Sequence, residues 1–250
     1  MNHERRSQII DLINKKNTIT NGEIMSTFGV SIETVRRDLA YLEGAGLLER
    51  VYGGAVKKGY IKVEPEYLNR EKDNVNEKEL IAIEAEKLIS ANDSVFFDLG
   101  TTVLFVARNL DANKKITSFT NSLRTAIELS DKGVSVVVPG GELREGEYSI
   151  SGSLAESNMK SFNIDKAIIG VGGIDEKGIT DFIIKEAGLR TQIIENARTV
   201  IAVCDYSKFG IRALCNVCDI NGIDVLITDS KAPKNVISKI KKKGVRVIIV

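Results

Sequence analysis

Histidine is almost absent from this chain of 250 residues, with His3 the only one. Ser-His-Asp and Cys-His catalysis therefore lack a base in the body of the sequence. Cysteine is nearly as scarce: Cys204, Cys215 and Cys218 are too few for the disulfide framework of a secreted domain. The CxxC spacing of Cys215 and Cys218 has no second pair to complete a zinc site, so no metal and no cofactor are expected. Long apolar runs are missing too. Nothing approaches the ~18 residues of a membrane span, and MNHERRSQII puts charges where a signal peptide needs an apolar stretch. These absences predict a cytoplasmic protein with no membrane contact. A net charge of +1 does not announce nucleic acid either, and residues 1–58 hold nine Lys/Arg against seven Asp/Glu. Any such function has to be read from position.

What is present suits ordinary cored domains: 43% hydrophobic and 28% charged residues, in a length that fits one or two domains. The first sixty residues are the most explicit. An opening helix from about Glu4 to Lys15 presents Ile9, Ile10 and Ile13. Thr20 to Glu23 (TNGE) fits a capping box that starts a short helix, and Gly29 ends it in the left-handed conformation glycine permits. Ser31 caps a second helix only two residues later, so the pattern is helix, tight turn, helix. In that helix Ile32, Val35, Leu39 and Leu42 form one apolar stripe. Arg37 points almost directly away from it, with Glu33, Thr34, Ala40 and Tyr41 around it and Arg36 at the flank. This arrangement suits a helix that reads a groove and touches phosphate at its side. GLLERVYGGAVKK then predicts a strand through Leu48 to Tyr52, a Gly53-Gly54 turn and a return strand from Ala55. Such a hairpin is a wing, bringing Arg50, Lys57 and Lys58 toward the flanking phosphates.

VSIETVRRDLAYLEGAGLLERVYGGA, from Val30 through Ala55, resembles the N-terminal signature of DeoR-type bacterial transcriptional regulators. Tyr52 stands where that family often has His, and Val35 where it often has Ile. The resemblance implies that Ser31, Thr34, Arg36 and Arg37 contact double-stranded operator DNA, with Arg50 and Gly53-Gly54 as the wing. With Thr20, Glu33, Tyr41 and Lys57 these make up the candidate DNA surface.

Residues 59–75, polar and mixed in charge around Pro65, read as a linker between a DNA-binding domain over 1–58 and a larger domain over 76–250. In the larger domain Asn76 is expected to cap a helix that buries Ile81, Ala85 and Leu88. Apolar runs starting at 94, 115, 134, 165, 198, 222 and 245 alternate with helical stretches, as expected of an α/β fold with a mostly parallel sheet covered on both faces. The runs end in small or polar residues, and in such sheets ligands bind outside the carboxyl ends of the strands. Gly100, Thr101 and Thr102 lead into a helix whose N-terminus suits a phosphate. Asp98, Glu186, Asp205 and Lys208 could bond a polyol or pair with its phosphate. FFDLGTT, FTNSL, VPGGELR, DKAIIGVGGI, KEAG, CDYSKFG and DVLITD resemble, in order, the sensor domain of the same family. By that resemblance the domain has a ribose-5-phosphate isomerase-like fold and binds a phosphorylated sugar. Asp98, Gly100, Thr101, Thr102, Thr120, Asn121, Gly140, Gly141, Glu186, Asp205 and Lys208 are then its effector-site candidates.

The leading expectation is a homo-oligomeric DNA-binding repressor of a carbohydrate-use operon, controlled by a phosphorylated sugar. The competing class is a sugar-phosphate isomerase with Asp98, Glu186 or Asp205 as proton-transfer base. A redox sensor ranks last, because GVGGID has Asp175 where a dinucleotide fingerprint needs its third glycine.

Overall fold

The computed structural model describes residues 2–16, 18–51, 54–57 and 64–250, with the side chains at 2, 3, 15, 16, 18, 20, 51, 56 and 57 excepted. The chain divides into two compact units, Met1–Lys62 and Val63–Val250.

The smaller unit contains α1 (Asn2–Lys16), β1 (Thr18–Thr20), α2 (Asn21–Phe28), α3 (Ile32–Gly44), β2 (Leu48–Val51) and β3 (Gly54–Lys57). Gly29 sits at φ +61° and its amide donates to Met25 O at 2.9 Å, so the backbone reverses between α2 and α3 where a side chain would strain. Ser31 caps α3 from extended backbone, its hydroxyl accepting from the Thr34 amide at 3.5 Å. The apolar stripe packs as its spacing requires: Val35, Leu39 and Leu42 bury against Ile9, Ile13, Ile24 and Leu48, while Ile32 is only partly covered. Two features differ from the sequence reading. β1, with Ile19 in the core, adds a third strand in the order β1-β3-β2; three residues are too short to display an alternating pattern. The β2–β3 ladder pairs Val51 with Gly54, so Gly54 belongs to the returning strand and not to the turn. Gly53, like Tyr52 and Lys58, lies outside the described residues, as do the side chains of Thr20 and Lys57.

The larger unit opens with α4 (Tyr67–Lys72) and α5 (Val75–Lys87), followed by β4 (Ser94–Phe97), α6 (Thr101–Asn109), β5 (Thr117–Thr120), α7 (Leu123–Asp131) and β6 (Ser135–Val137). A hairpin of β7 (Glu142–Arg144) and β8 (Ser149–Ser151) leads to α8 (Ser153–Met159) and β9 (Ile164–Gly170). Then come β10 (Gly173–Ile174), β11 (Gly178–Asp181), α9 (Ile184–Asn196), β12 (Ala197–Val203), β13 (Cys215–Asp219), β14 (Val225–Thr228), α10 (Lys234–Lys242) and β15 (Arg246–Ile249). Each of the seven apolar runs supplies one strand of a sheet ordered β15-β14-β12-β9-β4-β5-β6, and every neighbouring pair is parallel. Successive side chains alternate between two cores. Phe96, Ala167, Ile169, Val200 and Ala202 face the layer that includes Leu189 and Ile193 of α9, whereas Val95, Phe97, Ile168, Ile201 and Val203 face Ile81 of α5 and Val106 of α6. This double covering is why the strands read as continuous apolar runs. β10, β11 and β13 form a separate antiparallel sheet.

The segment from Glu64 onward, read from composition as connecting chain, contains α4, whose Tyr67 is buried. α5 begins one residue before Asn76, with Asn74 in the N-cap position at φ +51°. Ile81 and Ala85 are buried, and Lys78 is buried too. Among the described residues no helix is long and apolar enough to cross a membrane, and no group of three His, Cys, Asp or Glu is arranged to hold a metal ion.

Candidate nucleic-acid interface and ligand crevice

In the smaller unit α3 turns its core stripe inward and leaves Glu33, Arg36, Arg37 and Tyr41 exposed, with Thr34 half-buried beside them. Tyr41 is 58% exposed, although the Arg6 guanidinium covers one face of its ring at 3.9 Å from the centroid. Asp38, buried on the same helix, accepts from Arg6 Nε at 2.8 Å and from Arg5 Nε at 2.7 Å. α1 is thereby fixed to α3 through charge-assisted bonds, and its two arginines lie beside the exposed α3 face. Sequence reasoning missed Asp38, because its partners lie more than thirty residues away. On the wing strand, the Arg50 amide donates to Glu43 Oε1 at 2.9 Å, while the Arg50 guanidinium remains exposed, 3.9 Å from Glu43 Oε2. A small core therefore presents a basic, rigid helix face next to a wing, the geometry with which winged helix-turn-helix units enter a major groove.

The crevice of the larger unit lies where the strand order reverses. β4 and β9 are adjacent yet are followed by connections that run to opposite sides, so their carboxyl ends leave a gap. Leu99, Gly100, Thr101 and Thr102 line it from the β4 end, Gly170, Val171 and Gly172 from the β9 end, and Val203 and Cys204 from the β12 end. The cavity that these strand ends leave amounts to about 40 Å³. Gly100, at φ +111°, precedes α6, leaving the first amides of that helix directed at the crevice together with the buried hydroxyls of Thr101 and Thr102. Gly170 has to be glycine: a Cβ there would stand 2.7 Å from Leu99 O. After Gly172 the chain enters β10 and not a helix, so GVGGID lacks the helix N-terminus that a dinucleotide fingerprint needs.

Charged groups complete the lining: Lys208, Arg70, Arg190, Glu64 and Asp181. Burial pushes the Lys208 ammonium below its ordinary pKa, with Asp205 opposing the shift. Arg190 is buried and spends its charge on Asp98, at 2.5 Å, and on Asp181, which lies closer still. Asp98 also accepts from the Gly170 amide at 3.2 Å. Burial likewise holds the Cys204 thiol well above its usual pKa.

Of the residues expected to hold an effector, Gly100, Thr101, Thr102 and Lys208 are brought together on this lining. The others stand elsewhere. Asp98 lies beneath the crevice in its ion pair with Arg190. Thr120 accepts from the Ser122 amide at 3.1 Å, and the Asn121 carbonyl accepts from Ile150 N at 2.7 Å, so both serve the turn after β5. Gly140 and Gly141, at φ +69° and +134°, turn the chain from β6 toward β7. Glu186 is buried against Arg144, at 2.9 Å, and Ser149; burial raises its pKa. Asp205 accepts from the Ser207 amide at 2.9 Å and from Asn74 Nδ2 at 3.0 Å. Glu64, Arg70, Asp181 and Arg190 were not singled out by sequence reasoning. For Arg70 and for Glu64 just before it, the polar composition of their segment concealed α4, which carries Arg70.

Known proteins match both units. The DeoR-like helix-turn-helix domain matches residues 5–58, and the DeoR C terminal sensor domain matches residues 73–230. The HTH-type transcriptional regulator GolR of Listeria innocua is 34% identical over 98% of this chain and 98% of its own length. The glycerol-3-phosphate regulon repressor of Escherichia coli is 33% identical over 93% of each chain. Among solved structures, ribose 5-phosphate isomerase A of Methanocaldococcus jannaschii overlaps 55% of each chain at 18% identity and a TM-score of 0.40, a likeness too loose to bear on activity. Two family matches in chain order, and regulators alike over nearly their whole lengths, place this chain in the DeoR family of DNA-binding transcriptional regulators.

Proposed function

We propose that this protein represses a carbohydrate-use operon and that a small phosphorylated sugar, held in the crevice at the β4–β9 strand reversal, alters its grip on operator DNA. The observation that carries the reading is the convergence of the α6 N-terminus, Thr101, Thr102 and Lys208 on one crevice. Backbone amides and an ammonium suit a phosphate; Asp181 nearby suits a hydroxyl group. Relatives bear names of the same kind, a glycerol-3-phosphate regulon repressor and a putative aga operon transcriptional repressor, both from Escherichia coli. On the DNA side, Ser31, Glu33, Thr34, Arg36, Arg37, Tyr41 and Arg50 supply the reading surface, with Thr20, Gly53, Gly54 and Lys57 completing it. The protein acts as a cytoplasmic homo-oligomer, so that two reading heads meet successive major grooves about 34–36 Å apart. Control then requires only a coupling of about 1–3 kcal/mol between crevice and DNA, a five- to 150-fold change in affinity.

The test pairs two measurements on the full-length protein. Thermal melting against a panel of sugar phosphates should reveal a stabilising compound, worth about 2.7 kcal/mol at one hundred times its dissociation constant. The same compound should shift salt-sensitive binding to the DNA upstream of the protein's own gene. A panel that neither stabilises the protein nor changes DNA binding would refute the proposed control.

A further inference from the structure

The crevice contains a cation that is already bound to carboxylates of the same chain. Arg70, on α4, lines the crevice, and its Nη2 pairs with Glu64 Oε1 at 3.1 Å and with Glu147 at closer range. Glu64 lines the crevice as well, and its second oxygen pairs with Arg144 Nη2 at 2.8 Å. Arg70 Nε donates to Pro65 O at 2.9 Å. The far end of α4 is anchored separately, because the buried Lys78 ammonium donates to the carbonyls of Arg70 and Asp73. Ion pairs from Glu64 and the Arg70–Pro65 bond thus tie down the chain where it enters the larger unit, and in sequence this entry directly follows the DNA-binding head.

Resting on the reading of the crevice as a phosphate site, we propose that Arg70 is a further ligand of the bound anion and that Glu64 is a built-in competitor for it. An anion drawn in by Lys208 and the α6 amides has to take the Arg70 guanidinium from Glu64, and its own charge repels the Glu64 carboxylate from the shared lining. Arg70 turning toward the anion also gives up Pro65 O. Residues 64–66 lose their ties to Arg70 and keep only the Glu64–Arg144 pair, while α4 stays seated on Lys78. Occupancy of the crevice is in this way converted into release of the segment that leads to the reading head.

Inorganic phosphate is the appropriate probe, since it carries the charge without sugar hydroxyls that Glu64 could bond. Calorimetric titration of the full-length protein should show that Lys208→Gln abolishes phosphate binding, Arg70→Gln weakens it, and Glu64→Gln tightens it about fivefold or more. Glu64→Asp keeps the charge and should bind as the wild type does; tightening in this variant too would mean that mere loosening of the segment is responsible and would overturn the competition. Phosphate binding that depends on Lys208 but is unchanged or weaker in Glu64→Gln would overturn the competition while leaving the crevice reading intact. Absence of phosphate binding in the wild type and all variants would overturn both. Hydrogen exchange gives the second readout: phosphate should speed exchange at the Asn69 and Arg70 amides, both bonded to Glu66 O, and leave α5 unchanged. Equal or slower exchange at those amides would overturn the release.

Discussion

Replacing Arg190 with Met probes the electrostatics beneath the crevice. Arg190 is 2% exposed and is held between Asp98, 2.5 Å away, and Asp181. Methionine retains much of the aliphatic reach without the charge, so the change in packing should cost less than about 1.5 kcal/mol. The larger effect is on the partners. Asp98 is fully buried and Asp181 4% exposed, and removing their shared cation leaves both carboxylates facing a low-dielectric surround. Breaking a buried pair in this way costs about 3–5 kcal/mol. That is a large share of the ~5–15 kcal/mol that ordinarily holds a domain together. Urea unfolding followed by far-UV circular dichroism would measure it: with a slope of about 1–3 kcal/mol per molar, the midpoint of the larger unit should fall by at least about 1 M. A triple variant that adds Asp98→Asn and Asp181→Asn removes the stranded charges and should recover much of the loss. A cost below about 1 kcal/mol for Arg190→Met, the range of an exposed pair, would refute the account of a buried charge cluster.

Arg37→Ala should weaken operator binding by about 1–3 kcal/mol and relax preference at one position of the site; unchanged affinity in a mobility-shift titration would remove Arg37 from the groove. Asp38→Ala removes the buried carboxylate that Arg5 and Arg6 share and should destabilise the smaller unit by about 1–3 kcal/mol, read as a lower melting temperature. A pH series tests Glu147, whose carboxyl is raised by burial from an ordinary 4.5 to about 7. The folded chain then keeps a proton that the unfolded chain releases, so this contribution is complete below about pH 4.5 and is lost as pH rises through 7, by at most about 3 kcal/mol. Glu147→Gln should flatten the pH dependence across that window, and an unchanged slope would contradict the raised pKa.

The reading head was legible because its signals are local. A Ser31 cap, a Gly29 reversal and an apolar stripe over Ile32 to Leu42 involve residues a few positions apart, and helix geometry makes such neighbours meet. The seven strands of the sheet were legible for a related reason: burial on both faces demands unbroken apolar runs. Gly100, Thr101 and Thr102 could be placed at the mouth of a helix from the same local pattern. What tertiary structure alone decided is which strand ends converge and which charges neutralise one another. Asp98 reads as a free ligand until Arg190, ninety-two residues later, is found against it. Glu64 and Arg70 read as solvated linker charges until α4 and the segment before it bring them to the crevice with Lys208. Charge pairing depends on distance in space, and a sequence specifies that distance only through the packing of the whole sheet.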